Sequence, residues 1–130
     1  MLRLGLFRNF KDCDAAVLVA ADNKGLIALV DAVDAAVANP QTLIAVHDLC
    51  EVSIKHGVSL YFSAAEHFRL GDAEYVLAVS SYWAATVKEK LQPLLLAGSG
   101  HQYFDVTPST AMLVISVGEY DANWWRSIDG

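Results

Sequence analysis

The sequence predicts a single α+β domain over residues 1–130, a two-layer sandwich in which two helices lie on one face of a mainly antiparallel sheet. Short apolar segments with a period of two are interrupted by two longer segments with helical periodicity. Each helical segment has one apolar face, which needs one covering layer rather than two. The order strand, helix, strand, strand over residues 16–63 recurs at similar spacing over residues 75–117, so the chain reads as two similar halves.

The first strand is read from Leu2, Leu4 and Leu6, which alternate with Arg3 and Gly5; residues 9–14 follow as a polar connection. Residues 15–21 are a continuous apolar run of strand length, expected deep in the sheet. Asp22 is placed to cap a helix over residues 23–38. Its Leu26, Leu29, Val30, Val33 and Val37 face inward, and Asp31 and Asp34 face water. Asn39-Pro40 ends it, because proline disfavours helical geometry in the residue before it.

Residues 42–47 read as a strand, and a hairpin is expected next. A three-residue loop, Lys55-His56-Gly57, would pair Ile54 with Val58, Val52 with Leu60 and Cys50 with Phe62 on one apolar face. That register puts Gly57 at the left-handed position. Residues 64–73 join the two halves.

The second half starts with a strand over residues 74–79. Ser80 or Ser81 caps the next helix, and Trp83, Val87, Leu91 and Leu94 or Leu95 form its buried side. Pro93 predicts a kink or a break near Leu91 and a fresh turn from Pro93 to Ala97, since it removes a hydrogen bond to Glu89 and crowds that carbonyl. Gly98-Ser99-Gly100 stops the helix, and strands follow over residues 101–106 and 111–117.

Composition narrows the function. The net charge of -6 and the scatter of the nine Lys and Arg residues argue against nucleic acid, which needs a concentrated cationic footprint. No apolar run approaches the ~20 residues that span a bilayer, and the N-terminus is too short and charged for a signal peptide. Cys13 and Cys50 fit no paired spacing and read as reduced thiols. A cytoplasmic, soluble protein is expected. An apolar content of 55% leaves surface for a protein partner or a homo-oligomer.

Chemistry-bearing spacings are few. Gly98-Ser99-Gly100 follows a helix instead of opening one, so it is neither a phosphate loop nor a nucleophile elbow. His47, Asp48, Cys50 and Glu51 crowd together, yet residues three apart on a strand point to opposite faces, and Cys50 reads as a buried structural cysteine. Glu66-His67 adds a ligand-type pair without metal-site spacing, so neither a metal nor a cofactor is expected. His101, Tyr103 and Asp105 share one strand face, as a wetted surface, a recognition surface or an acid-base pair. Beyond them lie Glu119, Tyr120, Trp124 and Trp125, where one tryptophan is expected to plug the core and the other to serve as an exposed anchor.

The run Gly100-His101-Gln102-Tyr103-Phe104-Asp105, the apolar strand over residues 113–117 and Glu119-Tyr120-Asp121 resemble small bacterial immunity proteins that neutralise polymorphic toxins. The resemblance covers the C-terminal third, with Tyr103 where such proteins at times have a second histidine. It implies a stoichiometric binder with no catalytic residues. The expected function is therefore binding of another protein, such as a basic toxin domain, through His101, Tyr103, Asp105, Glu119, Tyr120, Trp124 and Trp125. The alternative is a small enzyme or ligand-binding domain with a pocket near His101, Tyr103 and Asp105.

Overall fold

The computed structural model describes residues 1–10, 13–65 and 68–128. In chain order the elements are β1 (Leu2–Phe10), β2 (Cys13–Ala21), α1 (Asn23–Ala38), β3 (Ile44–Ala45), a single 3-10 turn (Val46–Asp48), β4 (Val52–Lys55), β5 (Ser59–Ser63), β6 (Glu74–Ala78), α2 (Ser81–Ala97), β7 (Gly100–Asp105), β8 (Met112–Val117) and α3 (Ala122–Ser127). The fold is α+β, as its sequence predicts. Its strands divide between a five-stranded sheet, β4-β1-β2-β8-β7, and a three-stranded sheet, β3-β5-β6.

Chain-adjacent hairpins pair antiparallel: β1 with β2 and β7 with β8. Parallel neighbours are reached by crossovers, as parallel geometry requires: β1 with β4, β2 with β8 and β5 with β6. The apolar run in β2 sits at the centre of the large sheet and is buried from Ala16 to Ala21. One face, bearing Leu2, Leu4, Val17, Val19, Leu113 and Ile115, packs against α1, α2 and the small sheet in the main core. The opposite face, bearing Ala16, Leu18 and Val114, carries Phe7, Phe10, Tyr120 and Trp124.

Helix α1 has the boundaries its pattern predicts. The Asp22 carboxylate accepts the Gly25 N–H at 2.7 Å, and Asn39 ends the helix by bonding the Ala35 carbonyl. The adjacent α-amino group, followed by the Gly25 N–H, holds the Asp22 carboxyl below its usual range against partial burial.

Several expectations are corrected. Gly57 does have positive φ (62°), but so does His56 (65°), and the expected hairpin does not form. The turn hands the chain from one sheet to the other: β4 joins β1 through Leu2↔Val52 and Leu4↔Ile54, while β5 joins β3 and β6. Val58, Leu60 and Phe62 are buried, whereas Ile54 at the sheet edge stays 44% exposed. Cys50 is exposed as well, contrary to its reading as a buried residue. The two halves do not match element for element: α1 is followed by β3, a 3-10 turn, β4 and β5, and α2 by β7 and β8 alone; β7 and β8 pair with each other, whereas β4 and β5 do not.

Helix α2 runs unbroken through Pro93. Both Pro93 and Glu89 lie on its exposed side, where water serves a carbonyl that has lost its helical donor. Gly98 stops the helix in the left-handed conformation, its N–H bonded to the Leu94 carbonyl. The buried stripe is Ala84, Val87, Leu91 and Leu94, which leaves Trp83 beside the stripe rather than on it.

Candidate functional site

The register of the large sheet aligns its polar and apolar groups. Asp105, Met112 and Ala16 form one row across β7, β8 and β2; Tyr103, Val114 and Leu18 form the next; His101, Ser116 and Ala20 form the third. All nine share the sheet face opposite the main core. His101 Nδ1 lies 2.9 Å from the Glu119 carboxylate, which also accepts the Ser116 hydroxyl at 2.5 Å. The His101 ring stands edge-on to Tyr103 at 5.4 Å. This triad orders the turn after β8. His101 is committed to Glu119, and Asp105 lies four residues along the strand, roughly 13 Å away, so the two do not converge as an acid-base pair.

Helix α3 closes part of the same face. Asp121 caps it by accepting the Trp124 N–H at 2.8 Å. Trp125 is only 4% exposed, and its indole N–H donates to Ser53 Oγ at 2.9 Å. Gly5 on β1 makes the room: a Cβ there would lie 2.6 Å from the Phe7 ring and 3.2 Å from Trp125. Trp125 is therefore the expected plug and offers a partner no anchor, which corrects its place among the partner-binding residues. Trp124 and Tyr120 are half-buried against each other, with ring centroids 4.5 Å apart.

The open surface lies at the other edge, around β7. Val76 on β6 exchanges two backbone hydrogen bonds with Thr107, at 2.8 and 2.9 Å, and stitches the two sheets together antiparallel. Past that bridge β6 and β7 splay apart. The wedge between them is a groove of about 360 Å³, lined by Leu77 and Ala78 from β6, Trp83, Val87 and Lys90 from α2, and Phe104 from β7 among others. Tyr103 and Asp105 border it. Trp83, expected to be buried, is 52% exposed here, and Tyr82, 77% exposed, stands edge-on to it at 5.0 Å. Lys90 Nζ lies 4.3 Å from the Phe104 ring centroid and donates to the Tyr103 carbonyl.

A second hollow, of about 310 Å³, continues the groove through the shared Asp105 and Met112 and brings in Asp14. Asp14 and Asp105 are exposed, and neither has an ion-pair partner among the described residues.

The remaining candidates stay apart. His47 Nε2 is 3.7 Å from the Asp48 carboxylate, its ring meets Tyr61 edge-on, and Cys50 Sγ donates to the Glu51 carbonyl. The Tyr61 hydroxyl is pushed above its usual range by burial and then by its hydrogen bond to Glu74. Glu66 and His67 lie outside the described residues. Among the described residues no group of three or more His, Cys, Asp or Glu is placed to hold a metal ion, and no helix is long and apolar enough to cross a membrane.

Of the residues that sequence reasoning selects, the structure joins Tyr103 and Asp105 to the groove and ties His101 to Glu119 away from it. Trp83 and Lys90 were missed as surface residues; the signal was the alternative stripe through Ala84, which leaves both on the helix flank. Comparison with protein-family models, curated proteins and solved structures finds no match to this chain.

Proposed function

We propose that the protein is a protein-binding module and that its docking surface is the α2-β7 wedge with the adjoining Tyr103 and Asp105. The observation that carries this reading is the exposed Tyr82-Trp83 pair beside an apolar groove and a sheet edge. Tyrosine and tryptophan supply large contact area at low entropic cost and dominate interface hot spots. The finer reading is a stoichiometric immunity protein for a basic bacterial toxin domain, which the net charge of -6 would steer into contact. A small-ligand site is the second reading, favoured by a groove volume within the range of ligand pockets.

The test starts with capture of the partner from the native host on the tagged chain and its identification by mass spectrometry. The purified partner is then titrated with Trp83→Ala. Binding should weaken by about 2 kcal/mol or more, roughly 30-fold, with the melting temperature unchanged. One-to-one mixing that abolishes a toxic activity of that partner would support the immunity role. A partner that binds Trp83→Ala at full strength would count against this surface, and the absence of any stoichiometric partner would count against protein binding.

A further inference from the structure

Resting on the protein-binding reading, we propose that the wedge receives an extended segment of the partner that pairs antiparallel with the outer edge of β7, placing aliphatic side chains on Phe104 and Val87 and basic side chains beside Asp105.

The backbone argument begins at the Val76-Thr107 bridge. Thr107 directs both its N–H and its carbonyl toward β6. Backbone groups alternate sides along a strand, so Asp105, Tyr103 and His101 direct theirs the same way, toward the edge that β6 has left. The Tyr103 carbonyl accepts from Lys90 of α2, in keeping with that direction, and an incoming strand would take this acceptor over from Lys90. β7 is thus an edge strand with outward donors and acceptors, beside a gap whose first pair has already formed antiparallel. A segment taking over the course that β6 abandons would continue in that direction, the strand-addition mode of peptide recognition.

Side-chain alternation sets the chemistry. A residue directly opposite Tyr103 or Asp105 shares their sheet face. The Asp105 carboxylate, exposed and without an ion-pair partner among the described residues, selects arginine or lysine there. A residue opposite Phe104 points to the other face, onto Val87 and beside the Trp83 indole, and should be aliphatic. A second copy of this chain is the poorer occupant, because two chains that each carry a net charge of -6 repel one another.

The probe is a synthetic ten-residue peptide in which leucine and arginine alternate, titrated into the full chain and followed by tryptophan fluorescence. In antiparallel pairing, residues opposite Tyr103 and Asp105 carry the backbone groups that bond β7, so N-methylation of the arginines should abolish binding while N-methylation of the leucines leaves it within about threefold. Replacing arginine by glutamate, or the chain's Asp105 by asparagine, should each weaken binding at least tenfold. Equal binding of both methylated peptides, equal binding of the glutamate peptide, or no binding of the unmodified peptide would each overturn the proposal. So would a concentration-dependent dimer in sedimentation that the peptide dissolves, which would put a second copy at this edge. In any of these cases a captured partner that still depends on Trp83 leaves the protein-binding reading standing, so the two failures are distinguishable.

Discussion

Two aromatic regions of the molecule look alike in composition and differ in everything that matters for recognition. At α3, Trp124 and Trp125 lie over Phe7 and Gly5, with a cap from Asp121 and a hydrogen bond to Ser53. At α2, Tyr82 and Trp83 meet edge to face at the mouth of a groove and remain mostly in water. The difference is whether the facing surface leaves room. Gly5 opens a slot of indole width on β1, and Trp125 fills it. Opposite Trp83, β6 and β7 have splayed, and the space stays open. An aromatic pair becomes core or contact surface according to the strand beneath it.

The largest test of that contrast is Trp125→Ala, which should cost about 3–5 kcal/mol in denaturant unfolding because it empties a filled site and orphans the Ser53 acceptor. A loss under about 1 kcal/mol would mean that α3 is not part of the core. Gly5→Ala probes the same slot from below. With the new methyl 2.6 Å from the Phe7 ring, it should cost about 1–3 kcal/mol by overpacking, read from the denaturation midpoint at constant slope. Asp121→Ala removes the cap of a six-residue helix and should cost about 1 kcal/mol, with loss of near-ultraviolet tryptophan dichroism on milder heating than in the parent. Trp83→Ala should change stability by no more than about 0.5 kcal/mol. A destabilisation of Trp125 size there would erase the distinction between the two regions.

Local signals carried much of the fold. Asp22, the inward leucines and Asn39-Pro40 set the ends and orientation of α1, and the apolar run of β2 marked the sheet's centre. Partner choice was not legible. Period-two alternation says which way Val52 and Leu60 face, but not that β4 will pair with β1 and β5 with β6, since that depends on elements distant in sequence. Pro93 misled because the local penalty is real while its cost depends on whether the freed carbonyl meets water. For the candidate site, Tyr103 and Asp105 showed themselves by alternation along one strand. Trp83 could not, because only the splay of β6 from β7 opens the groove beside it.

That β2-β8 ladder also has a kinetic consequence. It joins residues 16–21 to residues 112–117 in parallel at the middle of the large sheet. The β1-β2 hairpin, by contrast, closes within the first two dozen residues. Loop-closure entropy makes the distant pairing slow, so the hairpin and α1 should form early and wait with one strand edge unsatisfied. During synthesis that edge is exposed until β8 leaves the ribosome, and it is the stretch of chain where a chaperone would have work to do.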